Sequence, residues 1–192
     1  MARAIDLDPG TYQGTYKLIG GSLALDFANL VSYRGTSREH EWLEPSTNIE
    51  RWLDAAEIST TVVGGTGTIR EFREVIARTF LAVADGTRPA AGDVHVIGDL
   101  AATTWARCRL RFDQEALAAV WIDPAPSLLD AMATDAASLL TSPDVLRKVS
   151  ACAGCRWLFL DTSRNHSRRW CDPADCGNRV RQRRHYQRHK RP

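Results

Sequence analysis

The cysteines constrain this chain more than any other feature of its sequence. Four of the five form two short pairs, Cys152 with Cys155 and Cys171 with Cys176, in the pattern C-x2-C-x15-C-x4-C. Each pair can offer two thiolates from one turn. The residues between the pairs are numerous enough for the chain to leave the first pair and bring the second pair back to it, as a tetrahedral zinc site requires. The pattern predicts one structural Zn²⁺ per chain. Two disulfides, an iron–sulfur centre or four reduced core cysteines are the alternatives.

The residues around these cysteines predict a small α+β module over residues 151–192. Residues 156–161 are typical of a strand, 162–167 of a turn and 168–171 of a return strand. A helix is expected to begin at about residue 179, directly after the second pair. This hairpin plus basic helix predicts a treble-clef-like zinc finger. About forty residues bury too little apolar surface to fold alone, so zinc would supply much of the folding free energy.

Charge is distributed unevenly along the chain. Residues 151–192 hold 11 Lys/Arg and 3 Asp, a formal charge of +8, whereas residues 1–150 hold 14 Lys/Arg and 20 Asp/Glu, a formal charge of −6. Seven of the C-terminal cations, and no acid, lie in residues 179–191. Because like charges on one helix repel, such a run favours contact with a polyanion over a solvated tail.

Nine cations are therefore candidate nucleic-acid contacts. They are Arg164, Arg168, Arg169, Arg179, Arg181, Arg183, Arg184, Arg188 and Lys190. Arg164 lies at the tip of the predicted hairpin. Arg168 and Arg169 lie beside a cysteine, so they could instead offset the net negative charge of four thiolates around one Zn²⁺.

Residues 1–150 predict a mostly helical body. Apolar residues recur there at the spacing of one helix face. The helical stretches are residues 22–31, 47–56, 68–85, 93–106 and 127–140. Alternation in residues 107–112 and 116–122 indicates one short hairpin. The expected fold is α+β, a mostly helical N-terminal domain with a short β-hairpin, followed by the zinc finger.

Asp26 and Asn29 are polar residues within the first predicted helix, beside Leu25 and Phe27. Buried polar groups need hydrogen-bond partners. We therefore expect both side chains to bind neighbouring backbone. A pocket for a small-molecule effector is the alternative, and the sequence does not identify an effector.

Membrane and enzymatic roles have little support in the sequence. The longest apolar run, residues 116–122, is far shorter than the about 20 residues of a membrane span. Residues 1–10 lack the apolar core of a secretory signal, so we expect a cytoplasmic location. No nucleophile–base constellation stands out in the body. His166, His185 and His189 leave a His-metal nuclease as an alternative, although four cysteines would close the coordination of the metal.

The C-terminal module resembles the CGNR zinc finger of bacterial regulators, through WLFLDTSRNHSRRWC at residues 157–171 and CGNRVRQRRH at 176–185. The body resembles the ABATE domain that precedes this finger, through GGSLALDFANLV at residues 20–31 and EWLEPSTNIERWLDAA at 41–56. The resemblance implies a stress-induced transcription regulator that binds DNA through the finger, with the four paired cysteines as zinc ligands. RNA is the alternative partner, and a homodimer is compatible with this role.

Overall fold

A computed structural model describes residues 3–115 and 117–182 of the chain. The helices are α1 (Leu23–Ala28), α2 (Asn48–Ala55), α3 (Thr66–Ala84), α4 (Ala91–Arg107), α5 (Leu128–Leu140) and α6 (Pro143–Leu146). The strands are β1 (Arg3–Ile5), β2 (Tyr16–Leu18), β3 (Val31–Ser32), β4 (His40–Glu41), β5 (Arg109–Asp113), β6 (Ala118–Ile122), β7 (Val149–Ala151) and β8 (Leu158–Leu160). A π-helical turn (Pro173–Gly177) leads into helical residues 178–182. The domain division at residue 150 stays a prediction, and β7 spans it.

The helices pack through the apolar faces that their periodicity predicts. In α3, Ile69, Ile76 and Phe80 lie on one buried face. Helix α3 contacts α1 and α4, and α4 runs along α5. Between α4 and α5 the Thr104 hydroxyl donates a buried hydrogen bond of 2.9 Å to the Asp130 carboxylate. None of the helices in the described ranges is long and apolar enough to cross a bilayer.

The eight strands form four antiparallel two-stranded sheets within the described residues, β1–β2, β3–β4, β5–β6 and β7–β8. The β5–β6 sheet confirms the hairpin expected from alternation in the body. Its base is fixed by Arg107 at the end of α4, whose guanidinium lies 2.8 Å from the Asp123 carboxylate and 2.5 Å from that of Asp130. Mixed helices and hairpins, with four cysteines clustered near the C-terminus, confirm the α+β expectation.

The hairpin next to the cysteines differs from the predicted one. Strand β8 lies within the expected strand, but it pairs with β7, which precedes the first cysteine pair. Residues 168–171 form no strand, so the predicted return strand is wrong. Asp161 explains the difference, because its carboxylate accepts hydrogen bonds of 2.9 Å from the backbone N–H groups of Ser163 and Arg168. These bonds close residues 161–168 into a loop.

The C-terminal segment is docked on the body through buried hydrogen bonds. The Asn29 side chain, at the end of α1, donates to the Leu158 carbonyl (2.9 Å) and accepts from the Leu158 N–H (2.7 Å). The Trp157 indole N–H donates to the Val31 carbonyl (3.2 Å).

The carboxylate of Asp26, within α1, accepts hydrogen bonds from two backbone N–H groups that precede the helix (2.7 and 2.8 Å). Asp26 therefore binds neighbouring backbone, as expected, whereas Asn29 binds the backbone of a residue that is distant in sequence.

Candidate metal centre

Four buried sulfurs meet where the two cysteine pairs come together. The Sγ atoms of Cys152, Cys155, Cys171 and Cys176 all lie within 4.8 Å of one another. The Cys171 sulfur is 3.5 Å from that of Cys155 and 3.6 Å from that of Cys176. Tetrahedral Zn–S bonds of about 2.3 Å place sulfurs about 3.8 Å apart, so the cluster fits one zinc ion. All four cysteines are free, which removes the alternative of two disulfides.

The first cysteine pair occupies the turn between β7 and β8. The N–H of Cys152 donates to the Trp157 carbonyl (2.8 Å), which extends the β7–β8 ladder up to the first ligand. The N–H of Gly154 approaches the Cys152 sulfur at 3.4 Å. A Cβ built at Gly154 would be in van der Waals contact with that of Cys176, at 3.4 Å, so the first turn packs against the second pair.

The second cysteine pair lies at the π-helical turn, since Cys171 precedes the turn and Cys176 lies within it. Asp172 caps this turn, because its carboxylate accepts a hydrogen bond of 2.8 Å from the Ala174 N–H. The same carboxylate lies 2.5 Å from the Lys17 ammonium, on β2 of the body. Asp172 therefore fixes the turn to the finger, through Ala174, and to the body, through Lys17. Both contacts orient the second cysteine pair.

The electrostatics of the cluster call for a cation. Hydrogen bonding from Cys155 and the other two thiols lowers the pKa of the Cys152 thiol, whereas hydrogen bonding with Cys152 raises the pKa of Cys171. Each thiolate formed in this buried site therefore makes the next deprotonation harder, because adjacent negative charges repel. Zn²⁺ removes that penalty by binding deprotonated thiolates. Four sulfurs complete its tetrahedral coordination and leave no position for a substrate.

Arg168 and Arg179, two of the predicted nucleic-acid contacts, are half-buried and contact the finger itself. The Arg168 guanidinium donates to the carbonyls of Trp170 (3.0 Å) and Cys171, and it lies 4.2 Å from the Phe159 ring centroid. Arg179 lies 2.5 Å from the Asp175 carboxylate, one turn earlier. These contacts support the second cysteine pair.

Three other predicted contacts, Arg164, Arg169 and Arg181, are exposed on the surface of the finger. Arg181 donates to the Asn178 side chain (2.5 Å) at the start of the helical segment. The remaining candidates lie outside the described residues. These are Arg183, Arg184, Arg188 and Lys190, together with His185 and His189 of the nuclease alternative.

The body residues that hold the finger were not found by sequence reasoning. Lys17 binds Asp172, and Asp85 after α3 binds the guanidinium of Arg156 (2.7 and 3.1 Å). The backbone N–H of Tyr33 donates to the carbonyl of a zinc ligand, Cys155 (3.1 Å). These partners are far apart in sequence, and no local pattern links them.

Comparison with known proteins covers both parts of the chain. The ABATE family model, whose description is "Putative stress-induced transcription regulator", matches residues 21–143, and the model of the CGNR zinc finger matches residues 148–189. No curated protein matches the chain. Together with the sulfur geometry, the finger match identifies the four cysteines as ligands of one structural zinc ion. The chain therefore belongs to the ABATE family of regulators and carries a CGNR zinc finger at its C-terminal end.

Proposed function

We propose that this chain is a zinc-dependent transcription regulator that acts in the bacterial cytoplasm and binds DNA through the cationic surface of its finger. The charge of residues 151–192 carries the proposal. It remains about +6 after four thiolates and one Zn²⁺ are counted. Two exposed arginines, Arg164 and Arg169, precede the basic run of residues 179–191, and a third, Arg181, lies at its start. Phosphate groups are the ligands that such a surface attracts most strongly.

The carboxylates of the finger do not oppose this proposal. Asp172 is neutralised by Lys17, and Asp175 is neutralised by Arg179. Asp161, the third carboxylate, accepts hydrogen bonds from backbone N–H groups and from the Ser163 hydroxyl (2.6 Å). Compensated acids repel phosphate less than free ones, which leaves the exposed arginines to dominate the local potential.

The metal site supports a binding role over catalysis. A zinc ion with four sulfur ligands has no open position at which to activate water or a substrate. The Nδ1 atom of His166 lies 3.0 Å from the Asp161 carbonyl, so this ring is held against the loop of the finger. We therefore propose that the chain is not an enzyme and that its zinc stabilises the DNA-binding surface.

Fluorescence anisotropy of a labelled duplex at several salt concentrations tests the proposal. If about 5–7 phosphates are neutralised, the logarithm of the binding constant should fall with the logarithm of salt at a slope of about −4 to −6. Charge reversal by Arg164→Glu, Arg169→Glu or Arg181→Glu should weaken binding roughly tenfold and make the slope shallower by about 1 or more. Absence of binding at about 50 mM salt would refute DNA binding.

The matched control is Arg51→Glu, because Arg51 is an exposed arginine on α2 of the body. This variant has the same charge change and should bind DNA as the wild type does. Competition with unlabelled structured RNA separates the two nucleic acids. Displacement of the duplex by RNA at far lower concentration than by DNA would assign the surface to RNA.

A further inference from the structure

The β5–β6 hairpin carries an apolar face that the rest of the described chain leaves exposed. Leu110 pairs with Trp121, and Phe112 pairs with Ala119. Cross-strand partners point to the same side of a sheet, so these four residues share one face. Leu110, Phe112 and Trp121 are 58%, 55% and 61% exposed. A soluble body normally buries such a face, and an isolated two-stranded sheet has little stability of its own.

The exposed area is large for a surface without a partner. Leu117 in the hairpin loop is also exposed, whereas Ile122 pairs with Arg109 and points to the opposite side of the sheet. Together, the face and Leu117 expose roughly 500 Å², which is within the range of the largest patch of a typical monomer. Trp105, on the helix α4 that leads into β5, is also 42% exposed. An area of this size is more than half of the roughly 800 Å² that each partner of a stable complex buries.

We propose that this face is the contact between two copies of the chain. In a two-fold arrangement, the Leu110–Trp121 row of one hairpin packs over the Phe112–Ala119 row of the other, and the reverse contact forms at the same time. The small Ala119 leaves room beside Phe112, which the indole of the second copy fills. The face therefore complements itself, which a contact between two identical surfaces requires.

The charges of the hairpin favour a second copy over a lipid surface. Arg109 and Arg111 point to the opposite side of the sheet from the apolar face, where they stay in solvent. Glu115 lies in the loop at the tip, which would enter a bilayer first, and burying a charge there is costly. Packing two apolar faces together places none of these charged side chains in the contact.

Sedimentation equilibrium of the full chain tests the proposal by measuring its molar mass in solution. A chain concentration of about 100 µM is well above the Kd of a dimer that dissociates in the micromolar range. The wild type should have the mass of two chains. Trp121→Glu alone and Phe112→Lys alone should each weaken self-association by about 100-fold, because each buries a charge in an apolar contact. An equimolar mixture of the two variants should recover the mass of two chains, since the carboxylate introduced in one copy then faces the ammonium introduced in the other.

Val63→Lys is the matched control, because Val63 is 60% exposed in the loop before α3. It should stay dimeric. Circular dichroism and zinc content should match the wild type for every variant, since all the changed side chains are exposed. A wild-type chain with the mass of one chain overturns the proposal, as does a dimeric Trp121→Glu variant. Co-sedimentation of a monomeric wild type with phosphatidylglycerol vesicles would assign the face to lipid. The result of this experiment does not bear on the proposal that the finger binds DNA.

Discussion

Asn29 is the side chain that most directly joins the body to the finger, so its replacement tests the docked arrangement. It is 1% exposed, and its amide makes two hydrogen bonds to the backbone of Leu158. Asn29→Ala leaves a buried N–H and a buried carbonyl without partners, at about 1–3 kcal/mol each. We expect the free energy of unfolding to fall by about 2–5 kcal/mol, a large part of the about 5–15 kcal/mol typical of a domain.

Zinc release gives a second measurement of the same contact. Leu158 follows the first cysteine pair in β8, and all four sulfurs are buried, so a chelator reaches the metal after the finger opens. If Asn29→Ala favours opening by about 2 kcal/mol, zinc should transfer to the chelator about 30-fold faster under native conditions. Denaturant unfolding of the zinc-loaded chain, followed by tryptophan fluorescence, gives the free-energy change.

Asn48→Ala is the control for this prediction. Asn48 is also fully buried, and its amide bonds to Asp8 and to the Trp42 carbonyl (3.0 Å), all within the body. This variant should lower the free energy of unfolding without a comparable acceleration of zinc release. The reasoning is refuted if Asn29→Ala unfolds within about 0.5 kcal/mol of the wild type, or if both variants release zinc at the same rate.

Two further predictions concern Asp26 of the body and Arg168 of the finger. Burial raises the pKa of Asp26 from 3.8 to about 6, so its ionisation should cost up to about 3 kcal/mol of stability as pH rises from about 4 to 6. In urea titrations across this pH range, the free energy of unfolding should fall less in Asp26→Asn than in the wild type. An equal fall in both chains would contradict the prediction. Arg168→Lys should lose the paired contacts to the carbonyls of Trp170 and Cys171 and release zinc several-fold faster. An unchanged release rate would show that these contacts do not hold the second cysteine pair.

The metal centre could be predicted from the sequence because its chemistry is encoded in residue type and spacing. Two close cysteine pairs with a long insert have few other uses, and the structure brings all four sulfurs together. Helices such as α3 and α5 were also predictable, since their buried faces repeat every three or four residues. The β5–β6 hairpin was found for the same reason, from alternation over two adjacent strands.

The strand pairing and docking of the finger could not be predicted in this way. Strand β7 has three residues, too few for a pattern, and its pairing with β8 depends on how the first cysteine pair turns. Asn29 and Leu158 are 129 positions apart, and their contact arises only when α1 packs against β8. The bonds of Asp161 that replace the predicted return strand likewise depend on the tertiary turn after β8.

The zinc content of the purified chain tests the central claim most directly. Metal analysis by mass spectrometry should find one Zn per wild-type chain, and Cys155→Ser or Cys171→Ser should lose it, because each removes one of four buried ligands. A matched Cys108→Ser variant should keep the metal, since Cys108 is buried apart from the cluster at the end of α4. Iron and sulfide in place of zinc, or full zinc occupancy in Cys171→Ser, would contradict the account.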